Sequence, residues 1–516
     1  MAFAVATAAT TACHPISPKP IPASPAVKIS EIQFSGFDVL TPHEIEELRD
    51  RIALKPGKLL TEAAEQAAGN TVVETLQSRG YPYAQVRIAR ADTGAGSARL
   101  VVEAEPGPRG LFGSINIAGN KRVDDTIIRR RITYQPGDLF RRSALEQTQQ
   151  QITALDLFKS VRIEAQNIDQ QPAEVPTLIT VEEQNPWRWN LSLGYAAGER
   201  LSFEARIRNM NFLGSARQLE LLGRISRIDR LAEMTFTQPD VWRPGVSLSL
   251  QGRNWTIDDP AFRALSRGGQ GALTWFWNPR LSSMIAYGAS FERGRIPGGL
   301  DPLTGLQDGM LSAWSIDFDH RTPDVEPAAP SGRVFMLHVE QAGGWMPGTF
   351  NYYSVIGEAR HYRSVRNRMT LAHRIRYGSI SAMSSETDIP LLKRFFLGGS
   401  GEMRGWSRFE VSPLSPSGEP VGGRGLMAAT SEVRFPLFRR LRGSVFVEAG
   451  NVWRSDWTVH LNDLRFDAGP GLRVETPFGL IRIDAGYQLN RVPNLRIEGR
   501  PQRRAWRINL GLGEAF

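Results

Sequence analysis

The sequence predicts tandem α+β modules followed by an all-β, antiparallel transmembrane barrel of about sixteen strands. Three observations predict it. A helix-containing order of elements repeats near the N-terminus. Strand-period alternation recurs through the rest of the chain. No run of about 18 apolar residues occurs in 516 residues, so a transmembrane helix is excluded. A spanning chain without helices must close its sheet, because every backbone polar group in lipid needs an internal partner.

The net charge is +9 and the isoelectric point about 9.8. The basic residues are mostly single arginines on strand parities, and runs such as Arg129–Arg131 or Arg439–Arg440 are short. That distribution points to a charged barrel interior and lipid headgroups, not to nucleic acid. Cys13 is the single cysteine, so no internal disulfide is expected.

Residues 1–26 form a segment of their own. Met1–Ala12 is rich in Ala and Thr, lacks a basic n-region and is short for a secretory signal. A lipid on Cys13 is one alternative, although Thr10 stands where an aliphatic residue is wanted; a start codon that drops the true signal is another. His14–Pro25 is rich in Pro and Ser and reads as an extended linker.

Residues 27–110 make the first module. Val27–Phe34 reads as a strand. Thr41-Pro42-His43-Glu44 reads as a helix start, with Thr as N-cap, Pro at the first position and Glu at the third. That helix runs to about Ala53, a second from Thr61 to Gly80, and strands follow near 84–89 and 99–105. Residues 111–185 repeat the order: a strand at Ser114–Gly119, a helix capped by Asp124 and running to Ile132, and a helix from Ser143 to Asp156. Strands at Ser160–Ala165 and Thr177–Glu182 close it. Each copy spans about 75–80 residues, with a Pro-Gly turn before its second helix. An open edge strand in such a module accepts an extended peptide by β-augmentation.

This β-α-α-β-β repeat resembles the POTRA domain. The stretch Ala154-Leu155-Asp156-Leu157-Phe158-Lys159-Ser160-Val161 is similar to the one that ends the second POTRA helix and enters its strand. Tandem POTRA units before a barrel characterise the BamA/TamA superfamily of outer-membrane assembly factors.

Residues 186–516 make the barrel. At about 20 residues per strand and connection, about 330 residues give about sixteen strands; the superfamily's barrels also have sixteen. Trp189–Tyr195 and Leu201–Arg208 alternate apolar and polar residues. In the last segment, Trp506, Ile508, Leu510, Leu512 and Phe516 share one parity, while Arg507, Asn509, Gly511 and Gly513 share the other. An apolar parity faces lipid, and a terminal aromatic ring suits the membrane interface.

Residues 394–406 carry four glycines in thirteen, including Gly398, Gly399 and Gly405, which marks a tightly turning loop. The segment resembles the superfamily's loop that folds into the lumen and ends in an Arg-Gly-aromatic tip, matched here by Met403-Arg404-Gly405-Trp406. A guanidinium inside a barrel needs a carboxylate. In Val445–Trp453 parity puts Glu448 inside, and in Ile481–Asp484 it puts Asp484 inside. The resemblance implies that Arg404 pairs with Glu448, Asp484 or both. Gly469–Gly479, Asp317–Pro323 with Pro330 and Gly332, and Gly422-Gly423 with Glu432–Pro436 are similar to further family segments, so the resemblance covers residues 27–516.

Catalysis is not expected. Gly399-Ser400-Gly401 lacks the final glycine and following helix of a nucleophile elbow, because Glu402 stands there. Asp317 and Asp319 share a strand face but His320 does not, which is poor metal geometry. No cofactor or metal is expected.

The implied reading is an outer-membrane barrel with POTRA domains in the periplasm, which inserts or translocates other proteins. Its partners would be outer-membrane lipids, unfolded outer-membrane or secreted clients, and an accessory protein, periplasm-spanning or lipoprotein. The first strand, about Trp187–Tyr195, and the last would form a weak seam, because Gly511 and Gly513 pack little. The alternatives are a two-partner secretion transporter, which exports one dedicated protein, and a passive porin.

Overall fold

The structure is a computed structural model that describes residues 27–94, 97–196, 200–259, 262–296, 305–322, 331–365, 369–438, 440–476, 479–497, 500–502 and 506–512. The chain divides into two compact units. One comprises residues up to 120 with 131–183; the other comprises 121–130 with 184 onward.

The first module contains β1 (Lys28–Ser35), α1 (Pro42–Arg51), α2 (Glu62–Ser78), β2 (Gln85–Gly94) and β3 (Ser97–Glu105), in the predicted order. Strand β3 is central, parallel to β1 and antiparallel to β2. The capping box forms: Glu44 N donates to Thr41 Oγ1, and Thr41 N donates to Glu44 Oε2 at 2.9 Å. Ala68, Val72 and Leu76, one turn apart on α2, are buried with Leu100 and Val102 of β3.

The second module contains β4 (Leu111–Ala118), α3 (Asp125–Arg129), α4 (Arg142–Thr153), β5 (Phe158–Ala165) and β6 (Glu174–Glu183), with β6 central. Asp124 caps α3 as read, but the helix ends at Arg129 and not at Ile132. The reason lies in α4: Thr133 N donates to Thr148 Oγ1 at 3.1 Å, which draws the backbone out of the helix. Strands β2 and β5 are edges of their sheets.

The barrel runs β7 (Trp187–Ala196), β8 (Arg200–Phe212), β9 (Arg217–Ser226), β10 (Asp229–Gln238), β11 (Val246–Asp258), β12 (Arg263–Asn278), β13 (Leu281–Ile296) and β14 (Gly305–Arg321). It continues with β15 (Gly332–Ala342), β16 (Tyr352–Val365), β17 (Met369–Ala382), β18 (Gly425–Phe438), β19 (Leu441–Trp453), β20 (Arg465–Thr476) and β21 (Gly479–Gln488). After a small hairpin, β22 (Arg496–Ile497) and β23 (Arg500–Pro501), comes β24 (Trp506–Leu512), which returns to β7. Sixteen strands close the barrel.

Side-chain parity decides what each wall faces. Trp187, Trp189, Leu191, Leu193 and Tyr195 of β7 all lie exposed on the outer face, as do Trp506 and Ile508 of β24. Asn509, on the other parity of β24, is 3% exposed and faces the lumen. An outward apolar wall and a polar interior are what a lipid-embedded barrel requires. The lumen is not empty. An apolar cluster fills part of it, with Phe395, Leu397, Met403, Trp406 and Val411 from the β17–β18 connection and Val492 and Leu495 from the β21–β24 connection.

Candidate functional site: the lumenal loop and the seam

The connection from β17 to β18 folds into the lumen as an irregular hairpin. Phe395 and Gly423 exchange backbone hydrogen bonds at 2.9 and 3.0 Å, and Leu397 and Val411 do so at 3.0 Å. The predicted glycines have geometric reasons. Gly398 has φ +116°, and a Cβ there would lie 2.1 Å from Ser407 O. On the wall, Gly486 of β21 leaves room for the loop tip, since a Cβ would sit 2.6 Å from the Arg404 carbonyl carbon. Gly399 N donates to Trp406 O at 3.0 Å, and Met403 takes a left-handed φ of 55° that turns the chain into the tip.

Arg404 is fully buried. Its Nη1 lies 2.9 Å from Glu432 Oε2 and 3.3 Å from Asp484 Oδ2, and its Nε lies 3.2 Å from Glu448 Oε1. Its backbone N donates to Glu448 Oε2 at 2.5 Å, and its guanidinium carbon sits 3.4 Å from the Phe446 ring centroid. Gly405 N donates to Asp467 Oδ2 at 3.0 Å, and Gln488 Nε2 donates to Gly405 O at 2.9 Å. Trp406, 1% exposed, anchors the tip in the apolar cluster.

Both carboxylates named from the sequence therefore meet Arg404. Glu432 and Asp467 were missed. Both obey the same parity rule on β18 and β20, but their convergence on Arg404 depends on register: Thr430 lies opposite Glu448, and Glu448 opposite Asp467. Arg473 joins the group through Glu432 at 3.0 Å and Asp484 at 2.6 Å, Arg434 through Glu432 at 2.9 Å and Arg482 through Asp484 at 3.4 Å. Four guanidinium groups thus share three buried carboxylates, Glu432, Glu448 and Asp484, while Asp467 accepts from the backbone of the tip. Such a network is robust only while complete, because loss of one partner strands a buried charge.

The loop also reaches the last strand. Asn509 Nδ2 donates to Arg404 O at 3.1 Å, and Arg507 Nη2 donates to Glu410 Oε1 at 3.3 Å. On the other side of the lumen, Arg408 Nη1 pairs with Asp229 Oδ2 of β10 at 3.0 Å. Of the predicted seam residues, Trp506, Ile508 and Leu510 follow the outward parity. Gly511 faces Arg482, whose Nη2 would lie 3.3 Å from an added Cβ. Leu512 ends the described strand; Gly513 and Phe516 lie outside the described residues, as do residues 1–26 and Pro323–Pro330. The β7–β24 ladder pairs Tyr195 with Leu510 and Ala196 with Asn509, and no further pairs form among the described residues.

The Asp317, Asp319 and His320 set separates as expected, with His320 exposed. The partner of Asp317 is His338 of β15, whose Nδ1 lies 2.7 Å from Asp317 Oδ1. Among the described residues no group of three or more His, Cys, Asp or Glu is placed to hold a metal ion.

Fold and site define a class: a sixteen-stranded barrel whose lumen holds an arginine-tipped loop, preceded by two α+β modules. The chain belongs to the Omp85 superfamily, whose domain model matches residues 211–516. The POTRA model, described as a surface antigen variable number repeat, matches residues 27–107 and 111–184. The chain is 24% identical over 465 residues to the outer membrane protein assembly factor BamA of Neorickettsia risticii, covering 86% of this chain and 62% of that protein. To BamA of Neisseria meningitidis it is 22% identical, covering 91% of this chain and 65% of that protein. The chain thus spans less than two thirds of these curated relatives. In fold it matches BamA from Haemophilus ducreyi lacking POTRA domains 1–3, with TM-score 0.79 at 19% identity over 94% of this chain and 100% of that one. CdiB from Acinetobacter baumannii matches with TM-score 0.55 at 12% identity, over 96% of this chain and 91% of that one.

Proposed function

We propose that this protein assembles other proteins into the outer membrane, with its POTRA domains in the periplasm and its barrel in the bilayer. The observation that carries the reading is the seam. Among the described residues β24 pairs with β7 at two positions and with β21 at seven, so this contact is the one a client strand would compete for. A client strand would add to an exposed edge, guided there by the edge strands of the POTRA sheets. The likeness to BamA proteins supports this reading, and an accessory partner, periplasm-spanning or lipoprotein, belongs to it. The filled lumen speaks against a passive porin, because Trp406, Val411, Val492 and Leu495 occupy space that a conducting pore would keep wet. No hydrolysis and no cofactor enter the mechanism; strand addition needs neither.

The test is reconstitution in lipid vesicles with a denatured outer-membrane client, folding being read by heat-modifiable gel mobility. The reading expects faster client insertion than in empty vesicles, lost in Arg404→Ala. No acceleration, with steady ion conductance in a planar bilayer, would favour a secretion pore or porin instead.

A further inference from the structure

We propose that the outward face of β10–β14, at the strand ends away from where the chain enters β7, docks the phosphate groups of outer-leaflet glycolipid. On β13, Glu292, Gly294 and Ile296 are buried towards the lumen, while Arg293 and Arg295 are exposed outward. On β12, Ala264 and Ser266 are buried and Arg263 and Arg267 exposed. On β10, Asp229 is buried and Arg230 exposed. Five arginines of β10, β12 and β13 therefore stand on the lipid side.

Register concentrates them. Arg263 lies directly opposite Arg295, and Leu265 opposite Arg293. Like charges facing each other across a ladder destabilise a sheet unless an anion shares them. The outward carboxylates on these strands, among the described residues, are Asp258, 2.8 Å from Arg263, and Asp308, 3.4 Å from Arg293. Among the described strand residues, two carboxylates against five guanidinium groups leave the patch basic.

Its height is as telling as its charge. On the same outward face, the next residues towards the chain-entry side are Ile285, Tyr287 and Phe291 of β13 and Met310, Trp314 and Ile316 of β14, an apolar band. Arg267 lies level with Phe291 at the upper edge of that band. Headgroup phosphates sit at that boundary, and the planar guanidinium fork matches phosphate in a way that a lone ammonium does not.

Among the described strand residues, the wall from β16 to β24 presents other chemistry at that height. Its corresponding outward positions include Tyr353 of β16, Ser381 of β17, Tyr487 of β21 and Trp506 of β24. The proposal needs the barrel in an outer membrane but not the client reading, so the two fail separately.

The test uses the purified full chain in detergent, titrated with bis-phosphorylated lipid A and, separately, with its dephosphorylated form. Bound lipid is counted by native mass spectrometry. The variants are the triple Arg263→Gln/Arg293→Gln/Arg295→Gln, and a control, Arg333→Gln/Arg363→Gln, at the other end of the outer face. Folding of each is checked by heat-modifiable mobility. The expected result is binding that weakens at least about tenfold for the dephosphorylated lipid and for the triple variant, with the control unchanged. Inorganic phosphate at equal concentration should not compete. Equal binding by the folded triple variant, equal binding of the two lipids, an equal loss in the control, or displacement by inorganic phosphate would each overturn the proposal.

Discussion

Along one edge β24 is laddered to β21 from Tyr487–Trp506 to Ile481–Leu512; along the other it meets β7 only at Tyr195–Leu510 and Ala196–Asn509 among the described residues. The inner faces of β24 and β7 differ as well. On β24, Asn509 is buried and bonded to the loop tip, and Arg507 is tied to Glu410 of the same loop. On β7, Asn190 is exposed and Ser192 half-buried. Among the described residues, then, the closing strand is held by β21 and by the lumenal loop more than by β7. A sheet can be closed in topology and still keep one contact cheap to open.

The comparison breaks most visibly at Arg404. Arg404→Ala leaves Glu432, Glu448 and Asp484 without their shared cation, which should cost loop docking about 3–5 kcal/mol. Limited trypsin digestion should then cut at Arg408, which is shielded while the loop stays in the lumen. Glu448→Ala should give a similar loss, and the double variant little more, because both act on one network. Additive losses would separate the two residues.

Gly398→Ala acts on the loop without touching charge. With φ +116° and Ser407 O in the way of a Cβ, it should cost about 1–3 kcal/mol or more, seen as partial exposure to the same protease. Asn509→Ala is the finest cut. It removes one hydrogen bond to Arg404 O, about 1 kcal/mol, and should raise amide exchange along β24 while leaving β19 and β20 unchanged.

Much of this was legible because strand parity is local. Alternation alone put Glu448 and Asp484 inside and Trp506 and Ile508 outside, and the capping box at Thr41 needed only four consecutive residues. What could not be read depends on register between distant strands. Glu432 and Asp467 reach the loop tip because β18, β19 and β20 align them with Glu448, an alignment that no single segment encodes. The packing of Val492 and Leu495 onto the loop is of the same kind. The end of α3 was missed because its stop comes from Thr148, fifteen residues on, and not from a breaker in the helix. The clustering of Arg263, Arg293 and Arg295 likewise depends on the pairing of β12 with β13, which no single segment encodes.

On the proposed function, the β7–β24 contact opens while the β21–β24 contact does not. The most direct test is a pair of double-cysteine variants in client insertion, Tyr195→Cys/Leu510→Cys across the seam and Ile483→Cys/Leu510→Cys within the ladder. Each is assayed oxidised and reduced. The account predicts that oxidation stops insertion only in the seam variant and that reduction restores it. Full insertion by the oxidised, crosslinked seam variant would contradict it.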